Sequence, residues 1–457
     1  MDAARQWGAR GIAMRWRIWL GGLLGAVLVG QAGAAGAAAR DGRPVLQAAT
    51  PAAAATSGPA VTLQALVDAA ITGHPLVRSA AQEVIAARTD VDAAKRRWWP
   101  SATLALESHS TSSGSPASRG AQLEQTLWDG GLINAGIDLA RQSVNKGEAR
   151  VAWQRQQLAL QVIGAWQSLI SARDKIAVSR ETMARLRGYE AQIRRRVAMD
   201  ASPAVDIELA LSRLRQTEVD MTMAQSTLRR AAQRLEQLTG VPGLDQDADR
   251  LAAWPGASAF KAAAGRLLSL DVDAQAHESA AVRVARGDMA VLQAQLEAKR
   301  AQRWPTAYLR VNKPLGEAYA GAGSDRGTSV FVGIRYTPGA GLATGVEADA
   351  IRERVTASNL AVDAAYLEER EAILGDIDQF ASAENELLAL QSAVTGSQHV
   401  LESYSRQFTA GRKTWIDLLN AVRELAQNQY ACADSQAVLA AAFYRLQVRL
   451  GETELRP

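Results

Sequence analysis

The chain has 457 residues, 48% of them hydrophobic and 21% charged, with a formal net charge of +4. Residues 1–34 hold four Arg and one Asp, so the rest has 51 − 4 = 47 basic and 47 − 1 = 46 acidic residues. That balance gives no support to nucleic-acid binding. The single cysteine, Cys432, excludes a disulfide framework, and the four scattered histidines lack metal-ligand spacing.

The N-terminus has the pattern of a secretory signal peptide, assigned to residues 1–34. Four arginines precede an apolar run from Ile18 to Val29, and small residues follow. Residues 35–60, rich in Ala, Gly, Pro, Thr and Ser, predict a flexible leader. No cysteine lies near the expected cleavage site, so we expect no lipid anchor there. No later segment approaches 18 consecutive apolar residues, which argues against transmembrane helices.

Helices are predicted before each pair of strands. The first runs from Leu63 to Arg97 and is interrupted at Gly73-His74-Pro75, and its counterpart runs from about Ala276 to Arg303. Each leads into a Trp-Pro pair, Trp99-Pro100 and Trp304-Pro305. A proline after a helical pattern marks its end.

Four segments then have the pattern of strands, about nine or ten residues long, which is the length of a tilted membrane strand. They are Ser101 to His109, Arg119 to Trp128, Thr306 to Asn312 and Thr328 to Tyr336. Aromatic residues gather at their helix-proximal ends, as in the girdle of a membrane barrel: Trp98, Trp99, Trp128, Trp304 and Tyr336. The alternative is two soluble hairpins packed on helices. Arg310 and Arg335 fall opposite the apolar stripes, so they point into the barrel lumen or sit near the membrane interface, and we expect a structural role for both.

Four strands cannot close a membrane barrel, because the smallest have eight and an open edge in lipid leaves backbone groups unsatisfied. A barrel interpretation therefore requires several copies of the chain. Two copies would give eight strands and three would give twelve, and strand count alone does not choose.

Two helical patterns are too long for a globular domain. Leu132 to Met199 and Leu342 to Ala410 contain no proline, and each would extend about 100 Å as a continuous helix. Apolar residues recur in them every three or four positions, as in a coiled-coil seam. Asp206 to Leu238 and Ile416 to Leu450 are predicted as their antiparallel partners.

The pattern occurs twice, with the Trp-Pro prolines 305 − 100 = 205 residues apart and the turn glycines 341 − 131 = 210 residues apart. We assign the first repeat to 61–275, with a hairpin at 101–128, long helices at 132–238 and a belt-like insert at 239–275. The second repeat is assigned to 276–457, with a hairpin at 306–336 and long helices at 342–450.

In this order, four short signatures make the chain resemble the TolC family of outer-membrane channel-tunnels over about residues 61–452. They are Gly73-His74-Pro75, Trp99-Pro100, Leu127-Trp128-Asp129-Gly130-Gly131, and Phe408-x-x-Gly411 through Trp415 to Asn420. The resemblance implies a mainly α fold with a membrane β-barrel. It also implies a homotrimer with a shared twelve-stranded barrel in outer-membrane lipid and a helical barrel through the periplasm.

The resemblance further implies a tripartite exporter with a periplasmic adaptor and an inner-membrane ABC transporter. Type I secretion of a protein similar to a cyclolysin-like RTX toxin is the expected function. Efflux of drugs or other small molecules is the alternative, and a soluble periplasmic coiled-coil adaptor is a rival of another class. No enzyme, cofactor or metal site is expected: Gly339-x-Gly341 lacks the Lys-Ser/Thr of a phosphate loop.

Aligned with the family, the second coiled-coil turn supplies the residues of a channel entrance. Asp417 aligns with the aspartate whose copies form an acidic ring in the family. Asn420 aligns with a second aspartate, so the second ring would be neutral here. Lys413 takes the place of an arginine, and Phe408 that of a tyrosine whose hydroxyl bonds an aspartate, here Asp206. Because Phe408 has no hydroxyl, we expect the tip to be closed by a Lys413–Asp206 pair or by packing alone. The alternative is that Asp206, Lys413 and Asp417 are ordinary solvated charges near helix turns.

Overall fold

Helices and strands follow one another in the same order in both halves of the chain. A computed structural model describes residues 61–108, 117–245, 260, 264–266, 269–315 and 327–452. All of them lie within residues 58–457, which pack as one unit. The predicted signal peptide, the leader and about half of the belt-like insert lie outside the described residues.

Each half contributes a broken helix, two strands and a pair of long helices. The first half has α1 Leu63–Gly73, α2 Pro75–Arg96, β1 Ser101–Ser108, β2 Ala117–Trp128, α3 Leu132–Ala198 and α4 Val205–Thr239. The second half has α5 Val272–Glu278, α6 Ala280–Ala301, β3 Thr306–Pro314, β4 Ser329–Arg335, α7 Ala343–Thr409 and α8 Trp415–Arg449.

The break in the first helix lies at the predicted place. His74 is extended, and its Nδ1 accepts a hydrogen bond from the Leu76 N–H at 3.2 Å. In the second half a helix was predicted from about Ala276 to Arg303; the structure has a helix at Ala280–Ala301 and a break at Ser279 that was not predicted. Ser279 is extended (φ −60°, ψ 155°), and its hydroxyl accepts from the Val282 N–H at 3.3 Å, so it starts a new helix.

The turn between β2 and α3 explains the Trp-Asp-Gly-Gly sequence. The buried Asp129 carboxylate accepts hydrogen bonds from the Gly131 N–H at 3.0 Å and the Ile133 N–H at 2.6 Å, satisfying donors at the start of α3. Gly130 has a φ of 64°, and a Cβ there would lie 2.4 Å from the Cβ of Trp304. Only glycine fits both the left-handed conformation and this close approach.

The long helices pack as antiparallel pairs, α3 with α4 and α7 with α8, and α3 also contacts α8. On α3, Leu158, Val162, Leu169 and Ile176 are buried, as the spacing predicted. The main core ends in an aromatic group in which Phe443 is fully buried and lies 5.2 Å from Phe260, ring centre to ring centre. A second core near the far ends of the long helices contains Ile193, Leu401, Phe408, Trp415 and Leu418.

The strands form one antiparallel sheet in the order β1-β2-β3-β4, so the two hairpins pair through β2 and β3. Leu123 is opposite Val311 and Glu124 is opposite Arg310 in the central pair. Side chains alternate between the two faces from this register. Strands β1 and β4 are the free edges of the sheet within the chain.

Among the helices that the structure describes, none combines the length and apolarity needed to cross a membrane.

Candidate functional site

The turn from α7 to α8, together with the helix ends on either side of it, contains most of the predicted entrance residues. Gly411, with a φ of 72°, ends α7, because its N–H donates to the Phe408 carbonyl at 3.0 Å and the Arg412 N–H donates to that of Gln407 at 2.9 Å. Thr414 then starts α8, and its hydroxyl accepts from the Asp417 N–H at 3.3 Å. The turn is therefore closed by glycine on one side and by a capping box on the other.

Asp417 is the acidic member of that capping box. Its Oδ2 accepts from the Thr414 N–H at 3.1 Å and from the Thr414 hydroxyl at 2.7 Å. These bonds from Thr414 lower the pKa of Asp417 below its ordinary value, and the charge of Lys413 adds to the effect. Asp417 thus completes the cap at the start of α8 and stays ionised at neutral pH. Its predicted place in an acidic entrance ring stays a prediction.

Lys413 lies beside residues of its own turn. Its Nζ is 4.0 Å from Asp417 Oδ2 and 4.3 Å from the centre of the Tyr404 ring. Asp206 lies in the first turn of α4 and is half-buried. No ion pair joins Lys413 to Asp206 in the part of the single chain that the structure describes, so the Lys413–Asp206 latch stays a prediction for the assembly.

Phe408 is buried in the second core instead of lying at a polar latch. Its ring centre is 5.5 Å from that of Trp415, whose own ring meets Tyr189 edge to face at 5.9 Å. The Arg196 guanidinium lies 4.4 Å from the Phe408 ring centre, and its Nη2 donates to the Phe408 carbonyl at 3.3 Å. Arg196 therefore ties the end of α3 to the end of α7. Sequence reasoning missed this contact, since 212 residues separate the two.

Asn420 is exposed one turn beyond Asp417 on α8. Glu424, also exposed, lies a further turn along the same stripe, because residues three or four apart share a helix face. The exposed stripe therefore carries acid, amide and acid in succession. Glu424 was not among the predicted entrance residues, although its seven-residue spacing from Asp417 in the sequence indicates the same helix face.

The four-stranded sheet has an apolar face exposed in the single chain. Leu104, Leu106, Val330, Val332 and Ile334 are 62–79% exposed there. The predicted aromatic residues are exposed at the helix-proximal ends of the strands, where Trp128 meets Trp304 edge to face at 6.5 Å. The opposite face carries Arg310 and Arg335, and both bond Glu124, a residue that sequence reasoning missed.

A second exposed apolar stripe follows the long helix α7. Val346, Leu360, Leu367 and Leu388 are 56–73% exposed and are separated by 14, 7 and 21 residues. A repeat in multiples of seven is the spacing of a coiled-coil seam, and the buried seam toward α8 is formed by other residues. The outer stripe can therefore accept another helix.

Within the ranges that the structure describes, no group of three or more His, Cys, Asp or Glu side chains could hold a metal ion. The arrangement offers apolar stripes, charged faces and a capped turn.

The paired long helices and four-stranded sheet define a TolC-like channel fold, as predicted. A membrane protein from Pseudomonas aeruginosa has a TM-score of 0.72 at 19% identity, covering 85% of this chain and 90% of the other. The outer membrane protein VceC from Vibrio cholerae has a TM-score of 0.71 at 14% identity, covering 85% and 96%. The open state of the Neisseria gonorrhoeae MtrE outer membrane channel has a TM-score of 0.69 at 16% identity, covering 85% and 88%.

Residues 66–241 match a family model described as "Outer membrane efflux protein". The description of that family names an outer membrane protein, which agrees with the predicted location in the outer membrane. No curated protein matches the chain.

Proposed function

We propose that three copies of this chain form the outer-membrane channel of a tripartite exporter. The observation that carries the proposal is the sheet: one face is apolar and exposed, and both edges, β1 and β4, are free. Free strand edges are unstable in lipid, and an exposed apolar face is unstable in water. Closure with other copies pairs the edges, and lipid covers the apolar face. Three copies supply twelve strands.

The α7 stripe supports the same assembly. Its exposed residues follow the seven-residue spacing of a helix seam, and a neighbouring copy offers long helices of matching length. The soluble adaptor alternative leaves both this stripe and the apolar sheet face without a purpose. In a channel, the α7 stripe holds the helices of neighbouring copies together, and the apolar sheet face contacts lipid.

As cargo we propose a protein, passed from an ABC transporter through a periplasmic adaptor in type I secretion. This preference rests on the sequence resemblance to secretion components for RTX toxins. The specific rival is efflux of small molecules, which the description of the matched family favours. Both cargoes fit the same channel.

Comparing two culture supernatants separates these cargoes: one from the parent strain and one from a strain lacking this gene, both measured by mass spectrometry. Protein secretion predicts the loss of one large secreted protein, restored by complementation. An unchanged supernatant together with increased sensitivity to drugs would replace secretion with efflux and leave the channel itself intact.

We further propose that the turns after α3 and α7 form the periplasmic entrance, with Asp417 and Asn420 lining it and Phe408, Lys413 and Asp206 at its closure. The contact of Arg196 with the Phe408 ring supports closure by packing, because a cation–π contact contributes about 0.5–2 kcal/mol. An exposed Lys413–Asp206 pair would contribute at most about 1 kcal/mol.

Basal conductance in planar bilayers tests which contact closes the entrance. Arg196→Ala should raise it, and Arg195→Ala, an exposed neighbour, is the matched control. If Lys413→Ala raises conductance and Arg196→Ala does not, the ionic latch is the correct account.

A further inference from the structure

The helix-proximal part of the sheet carries a shared ion cluster on its polar face. Glu124 Oε2 accepts from Arg310 Nε at 3.1 Å and from Arg310 Nη2 at 2.7 Å. Arg335 Nη2 donates to both oxygens of the same carboxylate at 3.1 Å. One acid on β2 therefore holds two guanidinium groups from β3 and β4.

An aromatic ring fixes the two arginines. The guanidinium carbons of Arg310 and Arg335 lie 4.8 Å and 4.6 Å from the centre of the Tyr308 ring. That ring covers Gly333, where a Cβ would lie only 2.7 Å from Tyr308 Cζ. Glycine at 333 thus makes room for the ring, and the ring and the carboxylate together orient both arginines.

The cluster has an excess of positive charge, 2 − 1 = +1 per chain. Its acid is the more enclosed member: the Glu124 side chain is 18% exposed, and that of Arg335 is 45% exposed. The cation therefore faces solvent while the acid is covered. The neighbours of the cluster on this face are uncharged: Gln122, Thr126, Thr306 and Phe331.

The cluster also has a defined position. Arg335 is the last residue of β4, and Glu124 is four residues before Trp128, the last residue of β2. Both are near the point where strands give way to helices. The face is opposite to that of Val332 and Ile334, which is the lipid-facing side in the proposed channel.

We propose that Arg335 and Arg310, oriented by Glu124 and Tyr308, form with their copies a cationic ring at the helix-proximal mouth of the strand barrel. The ring determines the selectivity of the channel in favour of anions at this level. This proposal rests on the proposed trimer, in which the three clusters together have a net charge of 3 × (+1) = +3. Asp417 lies at the far ends of the long helices, so the two ends of the helical part of the proposed conduit carry opposite charge. Screening over about 10 Å at 0.1 M salt keeps the two effects separate.

The test is the reversal potential of the full-length protein in planar bilayers under a KCl gradient at low ionic strength. Arg335→Gln removes the exposed cation and should shift the chloride-to-potassium permeability ratio toward potassium by about twofold or more. Glu124→Gln raises the cluster from +1 to +2 and should shift the ratio the other way. Arg335→Lys keeps the charge and should keep the potential of the unmodified protein.

Lys313→Gln is the matched control, because Lys313 is an exposed cation on the same strand as Arg310 but on the opposite face. It should leave the ratio unchanged. Equal potentials for the Arg335→Gln and Lys313→Gln channels would overturn the ring. If Arg335→Gln forms no channels, Glu124→Gln is the test: a shift of the permeability ratio toward chloride supports the ring, and a shift toward potassium or no shift overturns it. An unmodified protein that forms no channels would contradict the proposed function instead.

Discussion

The carboxylate of Asp417 caps the start of α8. Hydrogen bonds from Thr414 lower its pKa, so the bonded carboxylate stabilises the folded turn at any pH above its unfolded value of about 3.9. That contribution is lost as pH falls through the lower folded pKa. Because folding lowers the pKa of Asp417, the stabilisation is lost toward acid and not toward base.

We therefore predict that the first turn of α8 keeps its amide protection down to about pH 4 and loses it only in stronger acid. Hydrogen exchange, corrected for the intrinsic pH dependence of the rate, measures this at Asp417 and Leu418. In Asp417→Ala the protection should already be low at neutral pH. A wild-type turn that opens between pH 7 and 5 would contradict the assignment.

Replacing Gly130 by alanine should destabilise the protein. Alanine there must adopt a φ of 64° and displace the Trp304 side chain at its Cβ, so we expect a loss of about 1–3 kcal/mol. Gly131→Ala is the matched control: its φ is also positive, at 90°, but nothing lies within 4 Å of the added Cβ. Thermal dissociation of the oligomer compares the two. Equal losses would show that the contact with Trp304 adds nothing to the backbone cost.

The packing of α7 against α8 includes ion pairs that sequence spacing does not reveal. Asp376 on α7 accepts from Arg445 Nε at 2.7 Å and from Arg449 Nε at 2.8 Å, both on α8. Glu369 accepts from Arg449 Nη1 at 3.0 Å. These side chains are largely buried, so the network locks the register of α7 against α8.

Removing Asp376 should leave two enclosed arginines without their shared acid. Because breaking a buried ion pair costs about 3–5 kcal/mol, Asp376→Ala should strongly lower the thermal stability of the protein. The exposed Asp378, on the same helix, is the control, and its alanine variant should change stability by less than about 0.5 kcal/mol. Equal effects would mean that the network is not a stabilising element.

The elements were largely predictable because their boundaries have strong local signals. Proline after tryptophan and paired glycines mark the ends of the strands, and long proline-free apolar spacing marks α3 and α7. Ser279 was missed because one serine is a weak signal beside the Gly-His-Pro break in α1 and α2. Glu124 was missed because its partners lie 186 and 211 residues away, on strands whose register only the fold defines.

For the whole molecule, the exposed stripe of α7 predicts where copies of the chain meet. Leu360→Glu places a charge in the proposed seam and should convert the trimer to smaller species. Ala361→Glu adds the same charge one residue along, about 100° around the helix, and should leave the trimer intact. Native mass spectrometry distinguishes these outcomes. A Leu360→Glu protein that remains trimeric would place the seam elsewhere.

Cryo-electron microscopy of the protein extracted from the outer membrane in mild detergent tests the central claim most directly. Our account predicts three copies, with β4 of each chain paired to β1 of the next in a closed barrel of twelve strands. It also predicts that the apolar faces of Leu104, Val332 and Ile334 point into the detergent. Any other copy number, or sheets whose β1 and β4 edges stay unpaired, would contradict it.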